Sequence, residues 1–166
     1  DAAAVEQVHA ELLALEVEPP QVIPGPYAIL SVHEEIKPAL RIYALGTLAA
    51  RLERFDEVET RADEMEQLRY GDEADWLVSD LALGLRAQAE RAAGRPENAL
   101  ALLESMTMRT WHGLTLVSAY HTRGHERHMR AELLRDLGRA DEAQAWIDNI
   151  VQTSSFEVVY LEGGVK

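Results

Sequence analysis

Four side chains that can bind ligands recur along one predicted helix in the C-terminal half of the sequence. They are His121, His125, His128 and Glu132, spaced i, i+4, i+7 and i+11, so all four lie along one helical face. Two imidazoles one turn apart can share a metal ion, and a carboxylate one turn away is a common further ligand. The spacing is compatible with a metal site, with a polar stripe that faces a ligand, and with ordinary core or surface histidines.

A metal site is the least favoured of these three interpretations. The run His125-Glu126-Arg127-His128 lacks the spacing of the metalloprotease helix motif. Arg123, Arg127 and Arg130 lie beside the histidines in the sequence and would repel a cation. The sequence therefore predicts no metal and no other cofactor.

The sequence also lacks the motifs that indicate the common classes of enzyme. It has no cysteine, no glycine-rich phosphate loop and no Gly-x-Ser-x-Gly nucleophile elbow. Ser118 and His121 stand about one helical turn apart, but helical proteins supply such pairs by chance. We therefore expect that the chain is not an enzyme.

The elements that must position these residues follow one pattern, which is clearest over Asp75–Met106. Apolar residues recur there every three to four positions, which is the helical period. Gly94 supplies a C-terminal helix stop, and Pro96 fits the first turn of a new helix. Two helices joined by so short a turn form an antiparallel hairpin.

The joint between the two helices of this hairpin occurs three times in the sequence. Its three copies are 52–58, 93–99 and 137–143, and each contains a small or apolar helix end, a turn, an acidic first turn and then a small residue. Val58, Ala99 and Ala143 hold equivalent places and are 41 and 44 residues apart. Self-similarity at such a period predicts stacked helical hairpins.

These joints resemble those of the tetratricopeptide repeat, over roughly 38–151. The matching residues are Ile42, Leu45, Gly46 and 55–58 in the first repeat, Ala87, Ala99 and Leu103 in the second, and Ala131, Ala143 and Ile147 in the third. The period exceeds the usual ~34 residues, and the first-helix tryptophan and tyrosine are mostly absent, as in divergent long-helix bacterial relatives. The resemblance implies an all-α, right-handed solenoid of about seven or eight helices.

Proline and glycine positions divide the chain further. Ala2–Val17 is predicted to be the last helix of a truncated repeat, with a proline-rich connector up to residue 26. Within 27–152 we expect a short helix over Tyr27–Glu35, after which Pro38 opens the first repeat. The repeats are expected over about 38–69, 75–106 and 114–152, the last with a long first helix over Leu114–Asp136, and 153–166 form a tail.

In tetratricopeptide repeats the first helix of each hairpin lines a concave groove. The resemblance implies a groove lined by Tyr43, Thr47, Arg51, Gln88, Arg91, His125, His128 and Arg135. Arg51, Arg91 and Arg135 hold equivalent positions and are expected to form a row that binds carboxylates. We expect an acidic peptide segment to bind there, more tightly as pH falls through about 6.5, where histidines gain charge.

The formal net charge is −13, and most of it lies in the first half of the chain. Residues 1–75 carry 17 acidic and 6 basic residues, whereas residues 76–166 carry 12 and 10. A nucleic-acid partner requires a basic face, so we expect none. The acidic excess is explained either by solubility or by an acidic face that steers a basic partner.

Together these features predict a scaffold module that binds a protein or a peptide. Because the sequence begins at Asp1 rather than methionine, we expect it to be part of a larger protein, and the resemblance implies that this protein is a bacterial regulator. The alternative is a structural spacer or an oligomerisation segment, and the oligomeric state is left open. No apolar run approaches the ~20 residues that span a bilayer, so we expect a cytoplasmic location and no membrane contact.

Overall fold

A computed structural model describes residues 1–28, 30–71, 74–109, 114 and 118–153. Every regular element in this part of the chain is helical, so the predicted all-α class is confirmed. The α-helices are α1 (Ala2–Ala14), α2 (Leu30–Arg51), α3 (Phe55–Gln67), α4 (Asp75–Ala92), α5 (Pro96–Glu104), α6 (Gly124–Asp136) and α7 (Ala140–Thr153), and Gly25–Tyr27 and Ala119–Thr122 form 3₁₀ turns.

The three predicted joints have one backbone geometry. Glu53, Gly94 and Gly138 have positive φ angles of 59°, 74° and 78°. In each joint the N–H of this residue donates to the carbonyl three residues before it, and the next N–H donates to the carbonyl five residues before it. This is the Schellman ending of a helix, and it leads directly into the next helix.

Small residues at equivalent positions let the helices approach closely. Val58, Ala99 and Ala143 are buried one turn into α3, α5 and α7. On α2, a Cβ added to Gly46 would lie 2.7 Å from a methyl group of Leu85 on α4. The small residues therefore set the spacing both within a hairpin and between hairpins.

Two apolar clusters form the core. The first lies among α2, α3 and α4 and includes Ile36, Leu81 and Leu85, all fully buried. The second lies among α4, α5, α6 and α7 and includes Leu103 and Leu133. Since α4 contributes to both clusters, it connects the two halves of the described structure, and α1 packs on α2 at one end.

The predicted helix break at Pro38 is wrong. Helix α2 runs through this proline without interruption from Leu30. A proline inside a helix loses one backbone hydrogen bond. Ile36 and Ala39 on either side of it are fully buried, so the packing of both segments offsets that loss. The first predicted helix is also shorter than expected, because Leu15 is extended and α1 ends at Ala14.

The predicted helix over Leu114–Asp136 is wrong as well. Arg123 has a left-handed φ of 51°, and it separates the 3₁₀ turn over Ala119–Thr122 from α6. Tertiary contacts of the Arg123 side chain, given below, hold this conformation. After Thr153, the predicted tail lies outside the described residues. Among the residues that the structure does describe, no helix is long and apolar enough to cross a membrane.

Candidate binding groove

The first cleft lies between α1, α2 and the start of α6. It encloses about 380 Å³. Its apolar lining includes Val8 and Leu12 from α1 and Leu48 from α2. Its polar lining consists of Tyr43, Thr47, Arg51, Tyr120, Arg123, His125 and Glu126.

A second cleft of about 360 Å³ continues along the surface between α2, α4 and α6. Its lining consists of Ala50, Arg51, Gln88, Arg91, Ala92, His125 and Met129. Arg51 and His125 line both clefts. We call the two clefts together the groove, since they share Arg51 and His125 and together span α1, α2, α4 and α6.

Six of the eight predicted groove residues line this surface, and two do not. The six are Tyr43, Thr47, Arg51, Gln88, Arg91 and His125. His128 lies farther along α6, with its Nδ1 3.7 Å from a carboxylate oxygen of Glu132. Arg135 is exposed near the end of the same helix, beyond the lining of either cleft.

Tyr43 is buried in the wall of the groove rather than offered to a ligand. It is 3% exposed, and its hydroxyl donates to Glu126, itself 2% exposed. Burial and the neighbouring carboxylate raise the pKa of Tyr43 well above its usual value. The phenol therefore remains a hydrogen-bond donor that ties α2 to α6. A Cβ at Gly84 would stand 2.7 Å from a carboxylate oxygen of Glu126, so α4 meets the same carboxylate.

The arginines do not form the expected row of equivalent cations. Arg91 donates to Glu132 over 2.7 Å. Within the described residues, Arg51 makes no hydrogen bond or ion pair, and it is exposed where the two clefts meet. Because Glu132 already compensates Arg91, the cation of the groove that is open to an anionic ligand is Arg51.

His125 differs from the expected cationic histidine. Burial lowers its pKa below the usual value, and the charges of Arg51, His128 and Arg91 act in the same direction against an opposing effect of Glu126. The ring therefore carries less positive charge near pH 6.5 than an exposed histidine would, and it contributes less to the expected gain in affinity at that pH. Protonation of His125 should strengthen anion binding only at lower pH.

His121 does not join the other three residues of the candidate metal stripe, which lie on α6. His121 lies in the 3₁₀ turn, apart from α6, and its Nε2 is 3.0 Å from Nδ1 of His33 on α2. Glu132 is engaged by Arg91. Among the described residues, no group of three or more His, Asp or Glu side chains is arranged to hold a metal ion.

Sequence reasoning missed a buried polar cluster that fixes the start of α6. Asp80 on α4 is 1% exposed and accepts hydrogen bonds from the N–H groups of Thr107 and Met108, at 2.8 and 3.0 Å. The buried Arg123 side chain lies 3.6 Å from this carboxylate and 5.1 Å over the ring of Trp76. The same guanidinium donates to the carbonyl of Arg109, so one side chain ties the start of α6 to the segment after α5.

One part of this cluster had a signal in the sequence. Asp80 falls between Val78 and Leu81, inside the apolar stripe of α4, where an acid is unusual. No local signal indicates Glu126, because its partner Tyr43 lies 83 positions away. Comparison with protein-family models, with curated protein sequences and with solved structures finds no match to this chain.

Proposed function

We propose that the chain is a protein- or peptide-binding module and that the groove is its binding surface. The observation that carries the proposal is the convergence of six predicted groove residues on two adjoining clefts. They come from three helices that are far apart in sequence, α2, α4 and α6. Their convergence is expected if the first helices of successive hairpins lie side by side.

A right-handed solenoid similar to tetratricopeptide-repeat proteins is the architecture we propose for these hairpins. In its support, the three joints share one geometry, α2 packs on both α3 and α4, and α5 packs on α6. Each hairpin thus contacts its neighbour in sequence, as in repeat proteins. Such stacking creates an extended concave surface, which is the usual binding face of these architectures.

The chemistry of the groove favours a ligand that combines an apolar side chain with a carboxylate. Val8 is 49% exposed although it lines the first cleft, so an apolar ligand group can cover it. Arg51 lines that cleft where it meets the second one and can bind a carboxylate with its planar fork. An acidic peptide segment of a partner protein fits both features.

Selection from a display library of random peptides tests this function, with two matched variants. Ala44→Trp fills the first cleft, whereas Ala101→Trp places the same side chain in a different cleft between α3, α4 and α5. We expect peptides selected on the unmodified chain to bind Ala44→Trp at least about tenfold more weakly. Their affinity for Ala101→Trp should be unchanged, and equal losses, or no selected peptide, would refute the proposal.

The second candidate function is an oligomerisation segment or a structural spacer. Leu13 and Leu15, at and just after the end of α1, are 50% and 58% exposed, and exposed leucines can pack against a second copy. Light scattering over a range of concentrations distinguishes the two candidates. A monomer supports the binding module, whereas a dimer that dissociates in a Leu13→Asp, Leu15→Asp variant supports the alternative.

A further inference from the structure

His33 and His121 form a direct contact between two elements that are far apart in sequence. Nδ1 of His33 lies 3.0 Å from Nε2 of His121, and the ring centroids are 5.3 Å apart. His33 belongs to the first turn of α2, and His121 belongs to the 3₁₀ turn that precedes α6. The contact therefore joins this 3₁₀ turn to the N-terminal end of α2.

A hydrogen bond between two imidazoles requires one N–H and one nitrogen lone pair. A neutral pair meets this requirement, and so does a pair in which only the donor ring is charged. When both rings are protonated, two N–H groups face each other and two positive charges meet. The closed contact thus holds at most one extra proton, whereas the separated rings take up two.

The surroundings of the pair offer little compensation for positive charge. His121 is 1% exposed, and burial, together with the charges of His33 and Arg123, lowers its pKa to about 4. Burial also lowers the pKa of His33. The charged groups around His33 are Glu34, which opposes this shift, and Lys37, which adds to it. Since Glu34 forms an ion pair with Lys37 at 2.5 Å, the negative charge of its carboxylate is already balanced.

The 3₁₀ turn forms part of the groove. The ring of Tyr120 packs edge-on against that of Tyr43, with centroids 5.5 Å apart, and both side chains line the first cleft. Arg123 and Gly124, which follow the turn, line the same cleft. Movement of the turn away from α2 would therefore change the shape of the cleft directly.

We propose that the His33–His121 contact is a proton-sensitive latch that holds the 3₁₀ turn against α2 and keeps the first cleft in its closed shape. Above about pH 6.5 the separated rings are neutral and the latch is closed. Below that pH, separated rings bind protons that the closed contact excludes, so the opening equilibrium shifts toward the open form. The shift continues until the pH nears the value of about 4 at which buried His121 itself is protonated.

The size of the effect follows from proton linkage. Each proton taken up only in the open form raises the opening equilibrium by up to about tenfold for each pH unit in this range. The stabilisation that the closed contact provides is therefore fully present above the pKa that the two histidines have in the unfolded chain. It is lost as pH falls below that pKa. The latch rests on the proposed function only for its effect on ligand access, because opening of the turn can be measured without a ligand.

Amide hydrogen exchange, corrected for the intrinsic pH dependence of exchange, provides the test. Protection of the peptide that covers 118–127 should fall at least about tenfold between about pH 7 and about pH 5. Protection of the α5 peptide over 96–104 serves as the internal reference and should change far less. Equal changes in both peptides would overturn the proposal, because they would indicate general acid destabilisation.

Two non-titrating substitutions make the test specific. His33→Asn and His121→Gln each place an amide near the ring nitrogen that makes the contact, so the double variant can keep a hydrogen bond without binding a proton. We expect its protection over 118–127 to be independent of pH. His9→Gln, which alters a histidine bonded to Glu57 instead, is the control and should retain the full pH dependence.

Nitrogen-detected NMR of the unmodified chain keeps the proposal testable if the double variant fails to fold. The proposal requires one of the two contacting nitrogens to carry a proton and the other to be bare at neutral pH, and it requires His121 to titrate well below 6.5. Ordinary titration of both rings near 6.5 would overturn it. The absence of peptide binding to the groove would refute the proposed function and leave this result intact.

Discussion

The three hairpin joints and the start of α6 differ in what holds their backbone. Each joint closes through hydrogen bonds within seven residues of sequence, and the three copies have the same geometry. The start of α6 has a left-handed Arg123, which is held by Asp80 and Trp76 from α4, more than 40 residues earlier. Local sequence thus determines the joints, whereas buried long-range polar contacts determine the wall of the groove.

The largest loss of stability should come from substitution of Asp80, because this side chain belongs to the long-range polar cluster. Asp80→Ala leaves the N–H groups of Thr107 and Met108 without their acceptor and the buried Arg123 without its counter-charge. Removal of one partner of a buried ion pair typically costs about 3–5 kcal/mol. Urea denaturation should show a loss of this size in the free energy of unfolding.

Asp63→Ala is the matched control, since Asp63 also pairs with an arginine but its side chain is 62% exposed. Its loss should be below about 1 kcal/mol. Similar losses in both variants would mean that the Asp80 cluster contributes no more than a surface ion pair.

Gly84→Ala tests whether Glu126 sets the spacing of the first helices. A Cβ at this position would lie 2.7 Å from the Glu126 carboxylate and displace it from Tyr43. Overpacking costs about 1–3 kcal/mol, and the better helix propensity of alanine offsets about 1 kcal/mol. We expect a net loss of about 1 kcal/mol by urea denaturation. Gly71→Ala, with no heavy atom near its Cβ, should cause no loss.

Substitutions at the left-handed positions of two joints should change stability in opposite directions. Glu53 occupies the left-handed position that glycine occupies in the other two joints. A side chain in this conformation costs about 1–2 kcal/mol, partly offset by the greater freedom of glycine in the unfolded chain. Glu53→Gly should therefore stabilise the chain by about 0.5–1 kcal/mol, and Gly94→Ala should destabilise it by about 1 kcal/mol. If both changes destabilise, the joints are not equivalent.

Substitutions of the groove arginines should have the smallest effects on stability. They should weaken peptide binding to different extents. Arg91 is paired with a partly exposed Glu132, so Arg91→Ala should cost less than about 1 kcal/mol. Arg51 has no such partner in the described structure, and its loss should leave stability unchanged. Isothermal titration with a selected acidic peptide should show a weaker complex for Arg51→Ala than for Arg91→Ala. The reverse order would place the ligand carboxylate elsewhere.

The difference between local and long-range contacts also explains which features could be predicted from the sequence. The all-α class and the three joints follow from helical periodicity and from Gly94, Pro96 and Gly138. Six groove residues followed from a register counted from those joints. Continuation of α2 through Pro38 could not be predicted, because it depends on burial of Ile36. The break at Arg123 and the pairing of His121 with His33 depend on partners 43 and 88 positions away, which no local pattern encodes.

The surface that we propose to bind a peptide is the face formed by α2, α4 and α6. Mapping of backbone amide chemical shifts during titration with a selected peptide tests it most directly. We predict that the largest shifts fall on 43–51, 88–92 and 124–129, the segments that line the two clefts. Shifts concentrated on α3, α5 and α7, or at the exposed end of α1, would contradict the claim.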